Sequence, residues 1–184
     1  MILVRKTVFE ELPETYKVGD QFVFDTNSFG VVSATCHKVD DNVALFICDD
    51  CVGKACINKN NSNAGGFYNS DLKRWLKTKF QPELPPYISN HLVELSVPTY
   101  GMIFGHDDWY DNFEPDSDEQ LPLMKSRKYR IADFKGESEW YWLQNATKQS
   151  VSSAHFAAVG NNGHATCGVA GGVSGVRPCF VIRR

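Results

Sequence analysis

A chain of 184 residues is most simply one domain, and a chain of that size buries about 70% of its unfolded surface, enough for a core of its own. Its 42% hydrophobic and 22% charged content is that of a globular protein and excludes a disordered or fibrous chain. The net charge of −3, without a Lys/Arg-rich face, argues against nucleic acid as a partner, and no run approaches the ~18 apolar residues of a membrane span.

The start of the chain, Met1-Ile2-Leu3-Val4-Arg5-Lys6, lacks the long apolar stretch of a secretory signal. Synthesis in a cytoplasm is therefore expected. In that reducing setting Cys36, Cys48, Cys51, Cys56, Cys167 and Cys179 are expected as free thiols. Cys36, Cys48 and Cys179 sit in apolar, β-like runs and read as small core residues.

The first fifty residues read as an antiparallel meander. Strands are predicted at 21–24, 31–39 and 43–48, with turns at 27–30 and 40–42. Residues 50–66 are polar, rich in Asn and Gly, and read as a loop. One main helix is predicted over 70–80. Ser70 is a good N-cap and Asp71 suits the positive first turn. Leu72, Trp75, Leu76, Lys79 and Phe80 recur at helical spacing, with Lys73, Arg74 and Lys77 on the other face. Trp75 reads as a core anchor. Pro82, Pro85 and Pro86 end the helix, and a short helix or turn is expected around 87–91.

Residues 98–139 are long, acidic and poorly patterned. A helical turn is expected at 121–125, with irregular backbone otherwise. Four late strands follow, at 140–144, 153–160, 164–170 and 175–182. Asn161-Asn162-Gly163 joins the second to the third, and Asn-Gly is the strongest short hairpin signal. No internal repeat and no second domain boundary is visible, so a single domain over 1–184 is expected.

Three blocks carry a resemblance. Gly66-Phe67-Tyr68-Asn69-Ser70-Asp71-Leu72-Lys73-Arg74-Trp75-Leu76 follows the early strands, Tyr141-Trp142-Leu143 opens the second half, and Gly175-Val176-Arg177-Pro178 begins the closing strand. In that order they resemble a C-type-lectin-like domain family found in bacteria and their phages. That fold is related to the formylglycine-generating enzyme and to the variable proteins of diversity-generating retroelements. The resemblance implies an α+β, C-type-lectin-like fold: an antiparallel meander, one main helix, and a small twisted antiparallel C-terminal sheet with long loops. It also places Trp142 in the core and leaves Tyr141 semi-exposed. The chain departs from the family at Lys77, at Gln144-Asn145 and at Cys179.

In the closing motif, Gly175 lets the backbone turn sharply, Pro178 suits a sheet edge or bulge, and Arg177 has five donors for loop carbonyls or a buried carboxylate. Trp75, Trp142 and Arg177 thus read as structural. No catalytic constellation emerges. Cys167 and Cys179 fall on separate predicted strands without activating neighbours, and His37, His91, His106, His155 and His164 are scattered. Cys48-Asp49-Asp50-Cys51 with Cys56 matches only half of a zinc pattern, because a second CxxC is missing. The acidic residues from Asp107 to Glu119 read as a solvated loop, since the later Trp-Asn-Asp segment of calcium-dependent lectins is absent. No cofactor and no metal are assigned.

What remains is a recognition surface. Trp109 and Tyr110 lie in a polar loop as stacking surfaces, and Tyr141 is also expected as a ligand contact. Asn145, Thr147, Gln149, His155, Asn161, Asn162, His164 and Thr166 lie where the diversified proteins of the resembled family display their variable residues. The resemblance implies a non-enzymatic ligand-recognition protein of a phage particle, made in the bacterial cytoplasm and carried on the virion. Its partners would be a host-surface glycan or protein, other virion subunits, and further copies of itself in an oligomer. A structural decoration or baseplate subunit is the alternative, and a metal-dependent oxidase of the related fold stands third.

Overall fold

A computed structural model describes residues 8–9 and 15–183. Residues 1–6, read above for a secretory signal, lie outside them. The protein is mixed α+β, with mostly antiparallel sheets and one main helix.

The meander forms where alternation and turns place it. Strands β2 (Gln21–Thr26), β3 (Gly30–Val39) and β4 (Val43–Cys48) pair antiparallel in sequence order. The short β1 (Val8–Phe9) runs parallel beside β2. Beyond β4 the sheet takes up the last strand, β13 (Cys179–Arg183), and then β6 (Leu92–Ser96). The order is β1-β2-β3-β4-β13-β6, so the C-terminal strand is central to the sheet. β6 was not legible in sequence, and it gives β13 its second neighbour.

The smaller sheet has the order β11-β10-β9-β12-β5. Its members are β5 (Gly53–Ala55), β9 (Tyr141–Ala146), β10 (His155–Val159), β11 (Ala165–Val169) and β12 (Ser174–Val176). The strand expected at 175–182 is therefore two strands in two sheets. Pro178 stands at the crossing, neither at an edge nor in a bulge, and its carbonyl accepts from the Cys48 amide at 2.9 Å. The backbone φ of Gly175 is not positive. Its requirement is space: a Cβ there would lie 2.6 Å from both Cys51 Sγ and the Trp140 carbonyl.

Ser70 caps helix α1 (Asp71–Trp75), its Oγ accepting from the Lys73 amide at 3.0 Å. The helix continues as a π-helical segment, Leu76–Phe80, and a 3-10 turn, Gln81–Glu83. Helix α2 (Pro86–Ser89) follows. Lys73, assigned above to the outer face, is half-buried, and its Nζ donates to the Leu95 carbonyl of β6 at 2.6 Å.

Two apolar clusters flank the sheets. One joins Phe22, Phe46, Phe180, Leu72, Leu76 and Trp142. The other joins Leu45, Ile47, Tyr100, Met124, Tyr141 and Leu143. Successive residues of a strand point to opposite faces, so β9 sends Trp142 into the first cluster and Tyr141 and Leu143 into the second.

The stretch 98–139 has more structure than expected. It holds α3 (Tyr100–Phe104), a 3-10 turn at Tyr110–Asn112, another at Pro122–Lys125, α4 (Arg127–Arg130), and a hairpin of β7 (Ala132–Phe134) with β8 (Glu137–Glu139). Among the described residues no helix is long and apolar enough to cross a membrane.

Candidate functional site

The sequence groups eleven residues into one surface. The fold takes several of them inside and divides the rest.

Tyr141 is fully buried, contrary to the semi-exposed position expected of it. Its hydroxyl donates to the Arg130 carbonyl at 2.8 Å and accepts from Arg177 Nη1 at 2.9 Å. Asn145 is 6% exposed and acts as a bracket. Its Oδ1 accepts from the Tyr100 amide at 2.7 Å, and its Nδ2 donates to the Glu114 carbonyl and to Asp116 Oδ2. Thr147 is 2% exposed, its hydroxyl donating to the Ser152 carbonyl at 2.8 Å. These three hold the fold and have no free polar group to offer a ligand.

Tyr110 is half-buried and committed as well. Its ring stacks on His106 at 4.1 Å, and its hydroxyl donates to the Asp116 carbonyl at 2.5 Å while accepting from the Asp116 amide at 2.7 Å. Trp109 is exposed. Near it, the Lys148 amide donates to the Asn112 carbonyl, so the 109–112 turn and the 148–152 turn adjoin. Gln149 is exposed, with Nε2 on Asn63 Oδ1 at 3.1 Å. His155 is half-buried, with Nδ1 2.5 Å from Ser152 Oγ.

Asn161, Asn162 and His164 are exposed, but at the other end of the β10–β11 hairpin. His155 pairs with Val169, whereas Val159 pairs with Ala165 beside the Asn161-Asn162-Gly163 turn. Five residues of strand separate the two groups by about 16 Å. Thr166 lies between them, half-exposed on the edge strand β11.

The hairpin tip holds an aromatic that sequence reasoning did not choose. Trp140 is 43% exposed. A Cβ on Gly160 would lie 4.0 Å from Trp140 Cε2 and 3.2 Å from Asn162 Oδ1. Arg127 Nη1 approaches His164 Nε2 at 3.2 Å on the same tip. The Trp-Tyr-Trp alternation places Trp140 on the face of Trp142, but β9 begins only at Tyr141 and leaves Trp140 outside the ladder. Trp140 directly follows the β7–β8 hairpin, and no signal in the sequence marked that hairpin.

The three structural assignments can be placed. Trp142 Nε1 donates to the Ala55 carbonyl at 2.8 Å inside the first cluster. Trp75 is half-buried, its ring 5.6 Å from that of Phe29. Arg177 is 3% exposed and donates to the Cys48 carbonyl at 2.7 Å and the Tyr129 carbonyl at 3.0 Å, besides Tyr141.

The acidic loop is not a merely solvated one. Asp116 accepts from the amides of Gly101 and Asp118, Asp118 from the Thr99 hydroxyl, and Asp107 from the Tyr100 hydroxyl and the Trp109 amide. These bonds fasten the excursion around α3. Cys167 and Cys179 are on different sheets. Burial raises the thiols of Cys48, Cys51, Cys167 and Cys179, taking Cys51 and Cys179 up to about 12. Such thiols stay protonated at neutral pH and are poor nucleophiles. Among the described residues no group of three or more His, Cys, Asp or Glu side chains is placed to hold a metal ion.

No protein-family model, no curated protein and no solved structure matches the chain.

Proposed function

We propose that this protein is a non-enzymatic recognition domain of C-type-lectin-like architecture, a virion component of a phage that contacts a glycan or protein on a host surface. The fold reading is supported by order and topology. An N-terminal meander closes on the C-terminal strand, a helix and a long excursion follow, and a three-stranded antiparallel unit, β9-β10-β11, precedes the return. The recognition reading rests on one observation: exposed Trp140 beside the Asn161-Asn162 turn, with His164 and Arg127 next to it. An indole flanked by short amides suits a sugar ring or a peptide, because it joins an apolar contact to directional hydrogen bonds. Buried, protonated thiols favour binding over chemistry.

The test is a glycan and host-envelope binding screen on the purified chain, run with calcium and with chelator. Saturable binding that survives chelator and falls at least tenfold in Trp140→Ala is expected. Binding that Trp140→Ala leaves intact would overturn the assignment of the tip.

A further inference from the structure

A groove of about 820 Å³ opens on the large sheet, on the face opposite helix α1. It crosses four adjacent strands: His37 lies on β3, Leu45 on β4, Val181 and Cys179 on β13, and Glu94 and Ser96 on β6. Three inter-strand spacings make it about 14 Å from end to end. Met102 of α3 and Leu121 line it from the excursion. The middle is apolar and the two ends are polar.

At the β6 end, Glu94 Oε1 accepts from the Tyr68 hydroxyl at 2.8 Å, and Asp118 Oδ2 accepts from the Thr99 hydroxyl at 2.8 Å. Both donors are neutral. Among the described residues neither carboxylate is in an ion pair, and Glu94 Oε2 and Asp118 Oδ1 carry no hydrogen bond. The two carboxylates act on one point. After burial itself, both push the Cys179 thiol up, against the lowering by its Ser96 hydrogen bond and by the Lys73 charge. Four carboxylates line the groove against two lysines, and one of these, Lys38, is paired to Asp40 at 3.2 Å.

His37 closes the far end. His37 is 1% exposed, and its Nδ1 is sealed from solvent without a hydrogen-bond partner. Burial, then the Arg177 charge, hold its pKa down to about 3, so the ring is neutral and keeps one nitrogen as an acceptor.

We infer that this groove binds a linear organic cation, an ammonium or guanidinium on an apolar stem, with its charge between Glu94 and Asp118 and its stem across Leu45 and Val181. An anion would meet four carboxylates against two lysines, one of them already paired. A wholly apolar ligand would strip water from them without return. A bare divalent ion would find two carboxylates and, among the described residues, no third side chain placed with them to hold it. The site is separate from the hairpin tip and does not depend on the reading of that surface.

Calorimetric titration of the full chain with n-octylammonium and with octanoate tests the inference, since the two probes share a stem and differ in charge. Saturable one-site binding of n-octylammonium alone is expected. Glu94→Gln and Asp118→Asn, each of which keeps an oxygen for Tyr68 or Thr99, should weaken it tenfold or more. Val181→Trp should abolish it by filling the middle, and Trp140→Ala should leave it unchanged. Circular dichroism identifies folded variants; should Val181→Trp unfold, the two carboxylate variants still decide. Equal binding of both probes, no binding of n-octylammonium, or affinity unchanged in Glu94→Gln and Asp118→Asn would overturn the inference.

Discussion

Two buried side chains illustrate how single residues set conditions on the whole. Among the described residues Arg177 is bonded to no carboxylate; it is held by two carbonyls and a phenol. Lysine at this position keeps a charge but loses the planar fork that reaches three acceptors. Arg177→Lys should cost about 2–4 kcal/mol, measured by urea unfolding, because it leaves buried acceptors unpaired. His37 acts through pH. Its folded pKa of about 3 lies below the ordinary histidine value of about 6.5. Between these values the unfolded chain takes up a proton that the folded chain refuses. Its contribution is complete above about pH 6.5 and is lost as pH falls towards 3, at a slope of about 1.4 kcal/mol per pH unit. Urea midpoints should therefore fall more steeply across this window in the native chain than in His37→Leu. The roles of these residues were unequally legible. Arg177 was marked by its donor count and its place in the closing motif. The burial of His37 was hidden, because it depends on a register shift between Cys36 and Lys38 in the pairing of β3 with β4.

At the level of elements, the parts with strong local signals were readable. Ser70 and the apolar spacing located the main helix, and alternation located β2 to β4. What sequence hid was long-range pairing. Leu92-Val93-Glu94-Leu95-Ser96 is a strand because β13 lies beside it, not because of a turn next to it. The same holds for Tyr141. Alternation normally assigns one face of a strand to solvent, but β9 lies between two clusters and has none to give. The recognition residues suffered from this directly: Tyr141, Asn145 and Thr147 were read as surface and are interior, while Trp140, which alternation puts on the face of the buried Trp142, is exposed. Asn145 ties β9 to the excursion by three hydrogen bonds. Asn145→Ala should lower stability by about 2–4 kcal/mol. It should also speed hydrogen exchange at Tyr100 and Gly101 more than in β3 or β4; uniform acceleration would show that the excursion is not a separate unit.

The molecule as a whole has a rigid frame with chemistry at its margins. Two apolar clusters bury both faces of β9, and the acidic excursion is laced to α3 by its own carboxylates. Outside that frame stand the Trp140 tip, the Trp109–Gln149 end and the groove on the large sheet. One continuous variable surface was expected, but the hairpin is long enough to place its two ends about 16 Å apart. The Trp140 tip is the end proposed for recognition. The most direct measurement compares binding to host-envelope material by Trp140→Ala and Asn162→Ala at the tip with that of Trp109→Ala and Gln149→Ala at the opposite end. The tip variants should lose at least tenfold in affinity while the others bind like the native chain. Loss confined to Trp109→Ala and Gln149→Ala, or no binding by the folded native chain, would contradict recognition at the tip, and the latter would favour a structural subunit.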